Sequence, residues 1–228
     1  MIAFLKTSYR RLRKFLRKAK PANGAESLRA RFTGVYRSAA WGSSESLSGP
    51  GSERNSGSVR QALIALSQIV EKYEVRSVAD IPCGDFNWMP EFLEKHPSVA
   101  YAGYDIVGGL VSQNRKSHPA VKFYVLDITE QVPPRADLIF SKDLVNHLLD
   151  RDVWKALANM IRSGATYLMI TSNSVSTPNE DLPRNVGGMS RLLNLRTEPF
   201  SFPTPIYEDG YLAVWRTEDL VFVLDHKL

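Results

Sequence analysis

The feature that most constrains the fold is a short apolar run that ends abruptly in a tight loop. Residues 78–81 have the composition of a buried strand, and Pro82 and Gly84 follow them directly. Proline cannot donate to a β-ladder and glycine tolerates positive φ, so we expect the strand to end and the backbone to turn there. A second apolar run, residues 99–106, carries Asp105 near its end, 21 positions after Gly84. This arrangement predicts a nucleotide-binding βαβ unit in which Asp105 accepts hydrogen bonds from ribose hydroxyls.

The residues of that loop indicate what kind of ligand carries the ribose. A dinucleotide-binding loop uses three glycines so that the backbone can approach a pyrophosphate. Here Asp85 and bulky residues up to Trp88 follow the glycine, and bulk with an added negative charge disfavours phosphate and therefore a nucleotide-binding dehydrogenase. S-Adenosylmethionine (SAM) has a ribose and no phosphate, and its methionine ammonium is compatible with nearby carboxylates. The loop therefore predicts SAM as the cofactor.

Length and composition are those of one ordinary globular domain with a basic arm. The 228 residues are 43% hydrophobic and 23% charged, as in soluble globular proteins. The single cysteine, Cys83, excludes a disulfide framework and a cysteine-rich metal site, and it fits a reducing, cytoplasmic compartment. The net charge of +5 is uneven, because residues 1–20 hold eight Lys or Arg and no acid. The remainder is mildly acidic, which argues against a nucleic-acid-binding surface on the body.

The basic arm has the periodicity of a helix. Residues 1–20 place apolar side chains mostly three or four positions apart with basic residues between them, which predicts an amphipathic helix with a cationic face. Its apolar run is too short for a signal peptide, and no stretch approaches the roughly 20 apolar residues that span a bilayer. Two interpretations stay open: a helix lying on an anionic membrane, and a terminal helix that is solvated or packed against a partner.

Residues 21–57 are predicted to connect the arm to the main domain as a hinge followed by a loop rich in glycine and serine. Residues 21–40 predict a hinge and irregular structure, and a stretch dense in Gly and Ser then runs from Trp41 to Ser52. This stretch is compatible with a flexible linker. It is also compatible with an ordered loop over the cofactor, in which small residues permit close approach and hydroxyls form hydrogen bonds. The main domain is predicted at residues 58–228.

Strand and helix patterns alternate through the main domain and predict an α/β fold. Further strands are predicted at residues 121–126, 136–140 and 165–171, and helices at residues 59–73, 89–95 and 150–160. Residues 211–216 and 220–224, joined by Thr217-Glu218-Asp219, are predicted to form a closing antiparallel hairpin. The pattern predicts a Rossmann-like, mostly parallel sheet of seven strands with helices on both faces.

The ends of the predicted strands supply the candidate cofactor-binding residues. Asp127 and Ile128 follow the third strand, where such a pair can flank an adenine, although Asp127 could instead cap a turn. The complete candidate set for the cofactor is Asp80, Pro82, Cys83, Gly84, Asp85, Asp105, Ile106, Asp127, Ile128 and Ser141.

A long insertion supplies the candidate substrate-binding residues. About forty residues, 172–210, separate the fifth strand from the hairpin, which is too many for a simple connection. Ligands of open α/β sheets bind at the carboxyl ends of the strands, and this insertion leaves such an end. We therefore predict a substrate lid in which four residues bind the substrate: Asn173, Arg191, Asn194 and Phe200.

Short stretches spread from Trp41 to the C-terminus carry a family resemblance. They are Trp41-Gly42-Ser43, Ser48-Gly49-Pro50-Gly51-Ser52, Asp80-Ile81-Pro82-Cys83-Gly84-Asp85-Phe86-Asn87-Trp88-Met89, Tyr104-Asp105-Ile106, Leu126-Asp127-Ile128-Thr129, Lys142-Asp143, His147-Leu148, Arg191-Leu192-Leu193-Asn194-Leu195 and Pro199-Phe200. In these stretches the chain resembles class I SAM-dependent methyltransferases, and within them a bacterial group often associated with polysaccharide biosynthesis. It departs from the superfamily pattern at Pro82 and Asp85, which replace loop glycines, and from the group at Lys142, which replaces arginine. The resemblance implies the fold and the cofactor but not the methyl acceptor.

Methyl transfer to an alcohol needs a base as the C–O bond forms. His147 follows Asp143 by four positions, so the two would share one face of a helix. We predict that Asp143 orients the imidazole and that His147 is the base, with a structural His–Asp pair or a pair of helix-capping residues as the alternative. Asp143 and Asn173 could also ligate Mg²⁺, but two candidate ligands are too few to predict a metal.

Together with the resemblance, these residues predict a SAM-dependent methyltransferase that O-methylates a sugar hydroxyl. The expected acceptor is a bacterial glycan or lipid-linked saccharide at the cytoplasmic face of the membrane. Two alternatives stay open: methyl transfer to another small molecule, and a non-catalytic, SAM-binding, membrane-attached partner protein. DNA methylation is disfavoured, because the fourth strand lacks the Asn/Asp-Pro-Pro-aromatic sequence expected for extruded bases.

Overall fold

The strands form a single sheet, and its strand order determines where each predicted strand end lies. The computed structural model of the chain describes residues 27–183 and 188–227. Its strands are β1 (Ser77–Asp80), β2 (Ala100–Asp105), β3 (Lys122–Val125), β4 (Leu138–Ser141), β5 (Tyr167–Thr171), β6 (Tyr207–Glu208) and β7 (Leu212–Arg216). They form one sheet in the order β3-β2-β1-β4-β5-β7-β6, parallel except where β7 pairs with β5 and β6. The predicted fold class, a mostly parallel sheet with a C-terminal antiparallel hairpin, is confirmed.

Helices cover both faces of this sheet. They are α1 (Leu28–Arg37), α2 (Gly57–Lys72), α3 (Met89–Lys95), α4 (Gly108–Ser117), α5 (Asp150–Arg162) and α6 (Thr217–Lys227), with 3-10 turns at Pro50–Ser52 and Val145–His147. Leu66 and Ile69 of α2 are buried in the apolar cluster on one face, and Leu157 and Met160 of α5 are buried in the cluster on the other. Each such side chain contributes about 1.5–3 kcal/mol by leaving water, so the two faces together fix the sheet on which the strand ends are carried.

The strand order reverses between β1 and β4. Asp80 at the end of β1 is paired with Gly103 of β2 on one side and with Phe140 of β4 on the other. The chain continues from β1 toward β2 and β3, and from β4 toward β5, so the two connections leave in opposite directions. A crevice opens between them at the carboxyl ends, which is where open α/β sheets bind ligands.

The N-terminal part of the described chain contains a helix where the sequence predicts irregular structure. Ser27 caps α1 by accepting a hydrogen bond from the Ala30 amide at 3.2 Å. Phe32 and Val35 are buried, and Leu28 packs against the same apolar cluster as Phe32. Their spacing of four and three positions is that of an amphipathic helix. The prediction for residues 21–40 is therefore wrong from residue 28 to residue 37.

The C-terminal hairpin exists, but its strands differ from the predicted ones. Residues 220–224, predicted as a strand, lie in α6, and β7 pairs instead with β6, which precedes it. The acidic residues Glu218 and Asp219, interpreted as a turn, occupy the first helical turn, where negative charge complements the helix dipole. A short apolar run fits a strand and a helix equally well. Here Leu220 and Val223, three positions apart, are both buried, and this spacing indicates the helix.

The predicted basic helix at residues 1–20 lies outside the described residues. Among the residues that are described, no helix combines the length and apolar character needed to cross a membrane.

Candidate active site

A cavity opens at the carboxyl ends of β1 and β4, at the point where the strand order reverses. Seven of the residues predicted from the sequence line it, namely Asp80, Pro82, Cys83, Gly84, Asp85, Asp143 and His147. Its other walls include side chains that the sequence did not single out as site residues, among them Tyr36, Trp41, Ser48, Trp88 and Lys142. The topology thus brings five predicted cofactor-binding residues and both predicted catalytic residues to one cavity.

Asp105 is a buried carboxylate that the backbone holds at the tip of β2. Its Oδ1 accepts from the Val107 amide at 2.8 Å and its Oδ2 accepts from the Gly84 amide at 3.2 Å. Burial raises the pKa of Asp105 to about 6. Each carboxylate oxygen has a second lone pair, so the fixed group can still accept from two hydroxyls.

Gly84 lies where the loop after β1 closely approaches the segment that contains Ser48. Its φ is 55°, and a Cβ at this position would lie 2.3 Å from Ser48 Oγ. A side chain would therefore be strained by the backbone conformation and blocked by the serine. The glycine is required by the contact with the Ser48 segment as well as by the turn.

Two buried polar groups stand at the ends of the central strands. Asp80 accepts a 2.7 Å hydrogen bond from Tyr101 OH, and burial raises the pKa of Asp80 to about 8. Ser141 is fully buried, and its Oγ has no hydrogen-bond partner among the described residues. An orphaned hydroxyl costs free energy unless a ligand or water satisfies it.

The pair predicted to flank an adenine, Asp127 and Ile128, belongs to a second, smaller cavity beside Asp105. Ile106, Asp127 and Ile128 contribute to its walls, and Leu28 and Phe32 of α1 close it from the other side. The lining is predominantly apolar, as suits a flat heterocycle. Asp127 also performs the alternative role considered for it, because its Oδ1 caps a turn by accepting from the amide and hydroxyl of Thr129 at 3.0 and 2.6 Å.

The Gly/Ser-rich stretch is an ordered loop that binds the Asp85 carboxylate. The Ser46 hydroxyl, the Leu47 amide and the Ser48 hydroxyl all donate to it at 2.7–3.1 Å. In return the Asp85 amide donates to Ser48 Oγ at 3.1 Å. Tyr36 OH lies 3.1 Å from the same hydroxyl, so the segment containing α1 and this loop is joined to the loop after β1. We call residues 46–52 the serine loop.

A charged cluster lies directly after β4. Lys142 Nζ donates to Asp143 Oδ2 at 2.6 Å and to Gly51 O at 2.8 Å, and only 4% of the lysine side chain is exposed. Tyr211 OH donates to the same carboxylate at 2.8 Å. Burial acts to raise the pKa of Asp143, but the charge and hydrogen bond of Lys142 and the hydrogen bond of Tyr211 outweigh it and lower that pKa. Asp143 is therefore an ionised carboxylate held from two sides.

His147 is oriented by a backbone carbonyl. Asp143 has a φ of 56° and lies outside the 3-10 turn that carries His147, so the predicted common helix face does not exist. The imidazole Nδ1 instead lies 2.8 Å from Met189 O. A carbonyl oxygen can only accept, so Nδ1 carries the proton and Nε2 of the neutral ring carries the lone pair. The structure thus replaces the predicted hydrogen bond from Asp143 with one to Met189.

The electrostatic surroundings keep this imidazole neutral. Burial lowers the pKa of His147, and the positive charges of Arg31 and Lys142 act in the same direction. The Met189 carbonyl and the charge of Asp143 oppose them without reversing the shift. At pH 7 the ring therefore has a free Nε2 lone pair, with Trp41 packed beside it at 5.4 Å between ring centroids.

The predicted substrate-binding asparagines are used inside the insertion. Asn173 Oδ1 accepts from the Leu193 amide at 3.0 Å. Asn194 Nδ2 donates to Val175 O at 3.1 Å. These bonds join residues 173–175 to residues 193–194, since polar side chains here replace the missing strand or helix bonds. The two amides are therefore structural in this conformation, which corrects the prediction.

The other two predicted substrate-binding residues are also turned inward. Arg191 Nη2 donates to Asp150 Oδ1 at 2.6 Å and to Leu148 O at 3.1 Å. Phe200 is fully buried, and its ring lies 5.2 Å from that of Trp154. A fully buried ring cannot stack on a substrate, so the prediction for Phe200 is wrong and that for Arg191 is replaced by a structural contact.

Comparison with known proteins places the chain within a class. No family model matches it. A trans-aconitate 2-methyltransferase of Afipia carboxidovorans is 24% identical over 174 residues, which cover 73% of this chain and 68% of that enzyme. The PH0226 protein of Pyrococcus horikoshii OT3 shares the fold with a TM-score of 0.52 at 17% identity, covering 73% of this chain and 95% of that one. The chain thus has a Rossmann-like methyltransferase fold, and its likeness to the Afipia enzyme supports a SAM-dependent methyltransferase.

A methyltransferase domain of known structure is similar over a smaller part. The domain of bacterial CtHen1-CN matches at 13% identity with a TM-score of 0.45, over 50% of this chain and 66% of that one. The chain thus spans about two thirds of the length of the Afipia enzyme and of the CtHen1-CN domain.

SAM is the cofactor of the class, and the residues of this methyltransferase fit it. Asp105 offers a fixed carboxylate for ribose hydroxyls, and the cavity bounded by Ile106 and Ile128 offers apolar walls for a base. The Ser141 hydroxyl is buried and lacks a partner in the described structure, as a ligand-binding group would before its ligand arrives. The donor set is therefore suited to a nucleoside without a phosphate.

The described residues of the methyltransferase contain no group of three His, Cys, Asp or Glu side chains that could hold a metal ion. Of the two ligands considered for Mg²⁺, Asp143 is bound by Lys142 and Tyr211, and Asn173 is bound by Leu193. Both candidates are therefore committed to contacts within the protein.

The functional residues that sequence reasoning missed act across long separations. Tyr211 reaches Asp143 over 68 positions and Met189 reaches His147 over 42. No local pattern signals such contacts. Tyr36 is different, because the helical spacing of Leu28, Phe32 and Val35 was present in the sequence and would have placed it.

Proposed function

We propose that this methyltransferase transfers the methyl group of SAM to a sugar hydroxyl of a bacterial glycan or lipid-linked saccharide. The observation that carries the proposal is the state of His147, whose Nδ1 is bound to Met189 O and whose Nε2 is therefore a free base. A hydroxyl oxygen must lose its proton as the new C–O bond forms. A neutral imidazole in the wall of the cavity is suited to accept it.

The side chains of the cavity can prepare the hydroxyl for the reaction. SAM supplies a methyl group on an electrophilic sulfonium and leaves as the neutral thioether. His147 Nε2 accepts the hydroxyl proton, and the ionised Asp143 stabilises the imidazolium that results through its charge. The serine loop and α1 contribute walls to the cavity through Ser48, Ser52 and Tyr36, which supports alignment of the reacting atoms.

Aromatic side chains support a saccharide as the acceptor. Tyr36, Trp41 and Trp88 line the same cavity as His147, and Trp41 packs directly against the imidazole. Aromatic faces pack well against the apolar C–H face of a sugar ring while the hydroxyls at its edge reach polar groups. The resemblance to a group associated with polysaccharide biosynthesis supports the same acceptor class.

The experiment that tests the function uses SAM with a radiolabelled methyl group. The protein is incubated with nucleotide sugars, with lipid-linked saccharides and, separately, with small carboxylic acids. We expect label in the saccharides, stable to mild alkali as a methyl ether is. Alkali-labile label in the acids would be a methyl ester, and it would replace the hydroxyl proposal with a carboxylate acceptor. That acceptor class is the one suggested by the name of the Afipia relative. Absence of label with every acceptor, for a protein that binds SAM, would favour the non-catalytic alternative.

Asp105 gives a test of the cofactor site alone. Replacing Asp105 with asparagine should weaken SAM binding by ~1–3 kcal/mol, because a charged acceptor of ribose hydroxyls is lost. Since the pKa of Asp105 is raised to about 6, wild-type affinity should also fall as the pH drops through that value and the carboxylate is protonated. Calorimetry of both proteins between pH 5 and pH 8 measures the two effects. Equal affinity of both at pH 8 would remove Asp105 from the cofactor site.

The basic arm supports a membrane-proximal acceptor. Residues 1–20 carry eight cations beside an apolar stripe, and each Lys or Arg near an anionic leaflet contributes about 1 kcal/mol. We expect the full chain to float with anionic liposomes at low salt and a chain starting at Pro21 to remain behind. Salt should weaken the attraction because it is electrostatic. Equal flotation of both chains, or flotation of neither, would remove the membrane from the proposal.

A further inference from the structure

A segment of the insertion lies across the turn that carries the proposed base. Trp41 Nε1 donates to Gly188 O at 3.0 Å, and His147 Nδ1 donates to the next carbonyl, Met189 O. Two residues later the Arg191 amide donates to Asn146 O at 3.1 Å. We call residues 188–191 the strap. Its successive backbone groups form hydrogen bonds with the Trp41 and His147 rings and with Asn146, the residue before the histidine.

The side chain of Arg191 fastens the strap to the same turn from the other side. Its Nη2 donates to Leu148 O, directly after His147, and to the Asp150 carboxylate at the start of α5. Its Nη1 donates to Glu180 O in the insertion. Only 9% of the arginine side chain is exposed. The planar guanidinium thus joins two backbone carbonyls and one side-chain carboxylate at once, which a lysine ammonium does less well.

Apolar burial does not hold the strap in place. Met189 is 41% exposed and Leu192, just after the strap, is 63% exposed, so the two largest apolar side chains of this stretch face solvent. The next buried apolar residue is Leu193. The position of the Met189 carbonyl therefore depends on hydrogen bonds, and a segment with few buried contacts opens at low cost once these are lost.

From this geometry we infer that Arg191 is a positioning residue that fixes the tautomer and orientation of His147 through the Met189 carbonyl. The tautomer of a histidine is set by the hydrogen bond that its other nitrogen makes. Without the side-chain anchor, only the Trp41–Gly188 bond and the backbone bond from residue 191 to Asn146 O would hold the strap. The Met189 carbonyl would then be held less firmly opposite Nδ1, and the proton would be free to move to Nε2. That the tautomer matters for catalysis rests on the proposed function; that Arg191 sets it does not.

The charged groups that act on the imidazole do not include Arg191, so replacing Arg191 leaves them in place. Asp143 acts on His147 by its negative charge, and Arg31 and Lys142 act by their positive charges. Burial is the largest influence and lowers the pKa of His147. Releasing the strap admits water, so the pKa should rise toward the ordinary value of about 6.5.

The experiment compares Arg191→Met and Arg191→Lys with the matched control Arg196→Met in the full chain. Arg196 lies in the same insertion and pairs with Glu208 at the surface, with side chains 41% and 39% exposed. Nitrogen NMR of the His147 ring, assigned with a His147→Asn protein, reports the tautomer without any acceptor or SAM. We expect the wild type and the Arg196 variant to show protonated Nδ1. Arg191→Met should show an Nδ1/Nε2 mixture with a raised pKa, and Arg191→Lys an intermediate state.

The rates separate this inference from the proposed function. A mispositioned base should lower kcat by roughly 10²-fold in Arg191→Met with little change in the KM for SAM. An unchanged ring spectrum in folded Arg191→Met, or in Arg191→Lys if the first variant fails to fold, would overturn the inference. A changed tautomer with no loss of turnover would leave the inference standing and overturn the role of His147 as base.

Discussion

Replacing His147 with asparagine should lower kcat by roughly 10²–10⁴, the contribution usual for a general base. Asparagine is the sharpest substitution because its amide nitrogen lies close to the place of Nδ1 and can still donate to Met189 O. The strap contact is kept while the Nε2 lone pair is removed. SAM affinity should change little, since the contacts predicted for SAM are made by other residues. Methyl transfer and calorimetry on the same preparation measure both quantities.

The pH dependence gives a second reading of the same variant. A base acts only when it is unprotonated, and burial lowers the pKa of His147. Wild-type kcat should therefore be lost only as the pH falls below about 6.5, the ordinary pKa of a histidine. The His147→Asn protein should lack this acidic limb. Turnover close to that of the wild type, with the limb intact, would move the base to another residue or show that alignment alone suffices.

Replacing Phe200 with alanine should cost about 3–5 kcal/mol of unfolding free energy. The ring is fully buried against Trp154, and its removal leaves a cavity that the surrounding side chains fill only in part. Denaturant unfolding measures the loss. Leu192→Ala is the matched control, because Leu192 lies in the same insertion but is 63% exposed and should change stability by less than about 0.5 kcal/mol.

The outcome also decides between two roles for Phe200. The sequence predicts that it contacts the substrate, and that role would raise the KM for a saccharide while leaving stability nearly unchanged. The observed burial predicts the reverse. A stable Phe200→Ala protein with weakened acceptor binding would show that the insertion opens in solution and exposes this ring.

The central part of the site could be predicted because its chemistry is local in sequence. Pro82 and Gly84 end β1 by their own backbone properties, and Asp105 ends the neighbouring parallel strand, so topology alone brings them together. Asp127 and Ile128 follow from the next strand in the same way. Parallel strands place their carboxyl ends at one edge, and no side-chain contact has to be known in advance.

The acceptor side could not be predicted in this way, because its geometry depends on contacts between distant segments. The predicted contact between Asp143 and His147 requires both residues to lie on one helix. The backbone instead turns at Asp143 through a positive φ, and a carbonyl 42 positions away orients the imidazole. The polar residues of the insertion are predicted to bind substrate because the insertion leaves the carboxyl end of a strand. In the structure Asn173 and Arg191 find backbone partners, as buried polar groups of irregular segments must.

The contact between the serine loop and Asp85 makes any recognition of the methionine ammonium there a competition. Three donors already satisfy the carboxylate, so a ligand that reaches it must displace hydrogen bonds of similar strength. The net gain in affinity is the free energy of the new bonds to the ligand minus that of the bonds lost from the serine loop. It is therefore smaller than the gain that an unpaired carboxylate would give. The same loop is available to recapture Asp85 as a spent cofactor leaves. If the ammonium binds at Asp85, this arrangement would trade tight binding for ready exchange of the methyl donor.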